Sequence, residues 1–401
     1  MLLVSILVYC TVFLTAVRLR KEIHDLKPNE VMAFISAYKQ LPLDDLIRTH
    51  TEQATAAHGT PEFFPWHRAF ILQMEDMLMD IDPTVTLPYW NWSLESELPH
   101  ESAMFTDEYF GSTTQGCIQG GHFDNFILNY PNTHCISRSF DLEDKISAFT
   151  SDIVLREIIE NSDVYDNFRV AIEAIPHGNV HVNIGGDMAT MASAGDPLFY
   201  LHHAFVDKIW LEYQLKNGPL RYDQRVGTQS IQMDLNTVLE PFSKTVFDVM
   251  DVEKLDYEYV EPLYLMNLDE PEEVVMPTAP IVSLELPKVE DNIISSGDTL
   301  EELLSMPTKD LLNHDISGAS VCTSSDTYLY TEEAWIRMPY PIQEHWLKHM
   351  NLSVVGARNF ERVLQGRYEE LNNDKVTKTR KDCIDRLEQK NMLLGLFREL
   401  E

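Results

Sequence analysis

Apolar residues recur at helical spacing over much of the first 262 positions. In residues 30–41, EVMAFISAYKQL, Val31, Ile35 and Tyr38 form one stripe with Phe34 and Leu41 beside it, as in an amphipathic helix. Residues 70–81, FILQMEDMLMDI, repeat that period. A third segment, GDPLFYLHHAFVDKIW (195–210), opens with Asp196 as N-cap and Pro197 at the first helical position. Between the second and third, residues 93–140 place turn residues every few positions (SLESELPHES, FGSTTQGCIQGG, NYPNTHC) and read as a long loop excursion. The pattern predicts a mainly α fold with long irregular loops.

Past Pro262 the periodicity fails. Sixteen acidic residues and two lysines lie between Asp248 and Glu302, with prolines at 262, 271, 277, 280 and 287, so this span reads as an extended acidic connector. Residues 357–401 return to helical spacing, with Phe360, Val363, Leu364, Tyr368 and Leu371 on one face, a surface helix packing on its own domain. At the other end, MLLVSILVYCTVFLTA is the length of a signal-peptide core and is followed by Arg18, Arg20 and Lys21. Residues 1–16 are therefore expected to be a secretory signal. The alternative, a membrane anchor, usually needs about 20 apolar residues.

The chain carries 64 acidic against 31 basic residues, a net charge of −33, which excludes nucleic acid and an anionic leaflet as electrostatic partners. Four cysteines follow the signal segment: Cys117, Cys135, Cys322 and Cys383. In an oxidising compartment they suggest two disulfides. Three connectivities are open, and Cys117 with Cys135 is favoured because both lie in one loop-rich stretch. Sequons occur at Asn91 and Asn351; Asn91 is expected to be buried and Asn351 accessible.

The candidate chemistry lies in the histidines. Of fourteen, His50, His58 and His67 form one group and His177, His181, His202 and His203 another. Histidine clusters suit copper or zinc better than magnesium or calcium. His177 and His181, four apart, share one helical face, although Pro176 and Gly178 argue against a regular helix there. His203 lies about two turns into its helix, with Phe199 four before it to pack the ring and Asp207 four after it to support it. His202 points about 100° away and reads as a core residue rather than a ligand. His58 and His67 are half a turn out of phase, so both can face one ion only across the loop GTPEFFP.

These two clusters resemble the metal segments of the tyrosinase family of type-3 copper proteins, which includes catechol oxidases and molluscan haemocyanins. AHGTPEFFPWHRAFILQMEDML resembles the first segment, and PHGNVHVNIGGDMATMASAGDPLFYLHHAFVDKIW the second. LPYWNW (87–92) resembles the family's aromatic block between them, while LRKEI near residue 20 and YEY (257–259) resemble the start and end of its core. The resemblance covers residues 17–262, leaving 263–401 as linker and C-terminal extension. It implies a four-helix bundle holding two copper ions, with His50, His58 and His67 on one and His177, His181 and His203 on the other. It further implies dioxygen as co-substrate and oxidation of a small phenol, catechols leaving as ortho-quinones.

Departures from the family pattern bear on the activity. Ala56 stands where some members carry a thioether-bonded cysteine. Glu173 matches a carboxylate that orients a water able to deprotonate monophenols, but the asparagine that assists it is replaced by Gly178, with Asn179 one place later. Met191 aligns with a residue at the substrate entrance. The resemblance therefore implies a secreted diphenol oxidase with weak monophenol hydroxylation, its C-terminal extension lying over the coppers. Two other readings are an oxygen carrier like haemocyanin, which expects repeated units and a β-rich covering domain, and a zinc-containing isomerase.

Overall fold

A computed structural model describes residues 17–262, apart from residue 112, and residues 337–373. Residues 1–16, expected to be a signal, most of the acidic connector, Cys322 and Cys383 lie outside the described residues.

The first stripe forms helix α1, Pro28–Tyr38, with Pro28 at its start. Helix α2, Leu43–Glu52, and the single turn α3, Ala54–Ala57, lead into the loop before α4, Phe63–Ile81. After the excursion come α5, Asp152–Asn161, and α6, Tyr165–Ile172. The latter runs through one π turn, Glu173–His177, into α7, Gly178–Ile184. Pro176 offers no N–H and crowds the turn before it, and the helix accommodates it by widening there instead of ending. The doubt raised by Pro176 and Gly178 is thus resolved as a continuous but bulged helix.

Helix α8, Pro197–Asn217, starts where the sequence places it, the Asp196 carboxylate accepting the Leu198 N–H. Every residue from Pro197 to Trp210 is buried. A helix buried all round sits at the centre of its domain, and α2, α4 and α6–α7 pack around it. In the C-terminal part, α9 is Glu344–His349 and α10 is Val354–Asn373. The buried face of α10 carries Phe360, Leu364, Tyr368 and Leu371. It docks on the α5 region, where the Tyr368 hydroxyl accepts the Ser151 N–H at 3.1 Å and Arg367 pairs with Glu157.

The 93–140 excursion holds only short 3₁₀ turns and two-stranded pairings. Cys117 and Cys135 are joined by a disulfide, as favoured. Arg138 then ties this excursion to the start of α8 through two bonds to the Asp196 carboxylate, at 2.9 and 3.1 Å.

Strand Arg18–Arg20 pairs in parallel with Tyr257–Tyr259, bringing the two sequence blocks that bracket the core side by side. A buried charge network lies beneath them. Arg20 bonds Glu75 at 2.7 and 3.1 Å and stacks 3.7 Å over the Tyr257 ring. Asp207 accepts from Arg68 at 2.5 Å and from the Tyr257 and Tyr259 hydroxyls at 2.7 Å each. Asp207 is therefore the hub of this clamp and is not the support expected for His203. One helical turn beyond His203 its carboxylate reaches two buried guanidiniums, and charge pairing takes it there.

Candidate metal centre

The first three histidines come from three elements. His50 lies in the last turn of α2, His58 caps α3, and His67 is in the first turns of α4. The second set comes from two: His177 closes the π turn, His181 lies on α7, and His202 and His203 lie on α8. In each group the nearest ring nitrogens converge within 4.8 Å of one another. The groups face each other, with His67 and His203 stacked at 4.3 Å between ring centroids and His58 6.4 Å from His177.

The hydrogen bonds fix which nitrogen faces inward. Nδ1–H donates to a backbone carbonyl in five rings: His50 to Met191, His58 to Ala54, His67 to Phe63, His177 to Glu173 and His181 to Met188, at 2.7–3.0 Å. With the proton held on Nδ1, a neutral ring points the lone pair of Nε2 into the cluster. The Nε2 atoms of His50, His67 and His177 are buried with no hydrogen-bond partner. A buried unpaired polar atom costs about 1–3 kcal/mol, and such atoms turned into two facing clusters are the signature of a site built for ions that accept lone pairs. Burial also holds the rings neutral, pushing His50 down to about 4 and His181 to about 3, and His58, His67, His177 and His203 well below the ordinary value. These donors fit a pair of histidine-bound copper or zinc ions.

His202 is the exception within its group. The Trp92 indole N–H donates to its Nδ1 at 3.0 Å, so the neutral ring carries its proton on Nε2, the nitrogen that faces the cluster. That tautomer has no lone pair to offer there, which separates His202 from His177, His181 and His203. The PYWNW block thus acts on this centre through Trp92, a link the sequence did not reveal.

Around the rings, Phe199 packs 4.3 Å from His203 and 4.9 Å from His50. Phe63 lies 4.9 Å from both His67 and His177. Phe63 was not singled out in the sequence, although its place one helical turn before His67 marks it. Met191 contributes its backbone carbonyl to His50 and a partly buried side chain to the core.

Glu173 is fully buried, which pushes its carboxyl up to about 7 against the opposing pull of Arg169. Its Oε1 accepts the Gly59 N–H at 2.7 Å and its Oε2 accepts from Arg169 at 2.8 Å. Asn179 is also fully buried, but neither amide atom has a partner, so it does not pair with Glu173. The C-terminal part lies directly over this region. The Trp346 ring stands 6.0 Å from His177 and 6.4 Å from His181, near parallel to the latter.

The common central domain of tyrosinase matches residues 40–216. A tyrosinase from Streptomyces antibioticus is 32% identical over 233 residues, covering 53% of this chain and 82% of that protein. The chain belongs to the tyrosinase family. A tyrosinase from Streptomyces glaucescens is 29% identical over 258 residues, covering 56% of this chain and 93% of its own. In fold, a mutant polyphenol oxidase from Thermothelomyces thermophila superposes with a TM-score of 0.52 at 22% identity, over 61% of this chain and 89% of that one. Family membership implies a binuclear copper oxidoreductase acting on phenols with dioxygen, and the two facing histidine clusters fit that pair of ions.

Proposed function

We propose that this tyrosinase-family chain is a secreted oxidase of ortho-diphenols, with His50, His58 and His67 holding one copper and His177, His181 and His203 the other. The observation that carries the assignment of five of the six is the shared Nδ1-to-carbonyl pattern, which aims neutral Nε2 atoms at two neighbouring points; His203 joins them through its Nε2, 3.3 Å from that of His181. Bound copper supplies reversible one-electron redox change and open positions for dioxygen and a phenol. The protein's own part is to orient the imidazoles through main-chain carbonyls and to keep water out with Phe63 and Phe199.

The preference for diphenols rests on Glu173. Orienting a water on a monophenol needs a carboxylate and an amide acting together, whereas both Glu173 oxygens are held by Arg169 and Gly59, and Asn179 stands apart from them. A diphenol needs less help, since its first hydroxyl is the more acidic. Residues 337–373 act as a cover, with Trp346 filling the space beside His177 and His181 where a planar phenol would stack. The Cys117–Cys135 disulfide suits an oxidising compartment. Asn351 is exposed in a turn and is the more accessible sequon; Asn91, expected to be buried, is only half-buried, with its side-chain oxygen accepting from the Ser93 hydroxyl.

Oxygen uptake by the copper-loaded full chain with 4-methylcatechol and with tyrosine, before and after a cut in the acidic connector, tests this reading. Quinone is expected from the catechol, more of it after the cut, and little from tyrosine. Protein with two coppers bound that leaves the catechol untouched, cut or uncut, would overturn it.

A further inference from the structure

Two glycines directly follow a histidine of each cluster: Gly59 after His58 and Gly178 after His177. Both meet the C-terminal part. A Cβ added at Gly178 would lie 2.6 Å from Ile342 Cδ1 and 2.8 and 2.9 Å from two atoms of the Trp346 ring. One added at Gly59 would lie 2.5 Å from the Asn351 carbonyl oxygen and 3.0 Å from that of Met350. A Cβ at either place would make its neighbours shift, backbone at Gly59 and the packed ends of Ile342 and Trp346 at Gly178, so α9 and the turn after it sit as close as they do because these two positions lack side chains.

The two glycines differ in what else requires them. Gly59 has φ +69°, a left-handed conformation that favours glycine by itself. Gly178 is helical, with φ −61° and ψ −38°, where glycine is a poor choice and alanine a good one. The backbone therefore gives no reason for glycine at 178. The packed cover does, since Ile342, Trp346, Leu347 and Met350 are all buried against the domain.

We infer that Gly59 and Gly178 are docking notches for the segment Ile342–Asn351, and that the residue at 178 sets how tightly this segment closes over the histidine clusters. The inference rests on the reading of that segment as a cover. Position 178 then serves two masters, because any side chain brought there to act on a phenol also lifts Trp346 away from His177.

Hydrogen–deuterium exchange of the full chain, with and without copper, tests the notch without relying on turnover. Gly178→Ala is expected to accelerate exchange of the α9 amides by about tenfold or more while leaving α7 at least as protected as before. In an Ile342→Val, Trp346→Leu background, where the clashing atoms are gone or withdrawn, the same change is expected to add no further acceleration. Unchanged α9 exchange in Gly178→Ala overturns the inference, as does an equal acceleration in the altered background. Catechol turnover of the same variants separates the two readings. Faster α9 exchange with flat turnover supports the notch and removes the inhibitory role of the cover.

Discussion

The two histidine clusters are built in opposite ways. The second takes two of its three proposed ligands from one bulged helix and the third from the buried helix beside it, so helix geometry alone sets most of its spacing. The first gathers His50, His58 and His67 from a helix end, a cap and a helix start, joined by a loop that has no regular structure to hold it. Its order is borrowed. Met191, on the segment before α8, fixes His50, and Glu173, on the π turn of the second cluster, fixes the loop through Gly59. The first cluster thus leans on the helix of the second through Glu173, a dependence that a symmetric list of three plus three ligands conceals.

The largest expected effect comes from removing a ligand. His67→Ala and His203→Ala should each lower copper from two ions per chain towards one and reduce catechol oxidation by about a thousandfold or more, as read by metal analysis and oxygen uptake. Neither change touches the Glu173–Gly59 contact, so each is expected to empty its own centre first. Next is Arg68→Ala, which strands Asp207 in the buried clamp shared by both clusters. A loss of about 3–5 kcal/mol in unfolding free energy is expected, with both centres affected alike. A denaturant melt that shifts little would show the clamp to be dispensable. The smallest effect is the most diagnostic. Glu173→Ala should weaken copper at the first centre by about 10–100-fold, although residue 173 lies on the helix of the second. Weakening at the second centre alone would reverse the proposed dependence.

The same asymmetry decided what was legible in the sequence. His177, His181 and His203 declare themselves through i, i+4 spacing and a clear N-cap at Asp196, because local periodicity and local geometry coincide there. His58 and His67 are out of phase on any helix, and only the resemblance to a known family joins them. Asp207 was misplaced for a related reason. Helical spacing puts it on the face of His203 but says nothing of Arg20 and Arg68, which arrive from elsewhere in the chain and outbid the imidazole for it. Trp92 and Trp346 were invisible as neighbours of the site because both contacts are long-range, and a sequence carries no spacing rule for them. The bulge at Pro176 was legible as a disturbance, though not as a π turn that leaves the helix running.

The parallel pairing of Arg18–Arg20 with Tyr257–Tyr259 also makes the copper-binding region a closed circuit. Its first and last strands leave from the same edge, and the contacts that seal them, Arg20 on Glu75 and both tyrosines on Asp207, lie wholly inside that circuit. None of these sealing contacts uses a residue downstream of 262. A unit whose two ends meet can be extended, inserted into another chain or relieved of its appendages without being re-threaded, so accessory segments of very different size can be attached to it at little cost to the site.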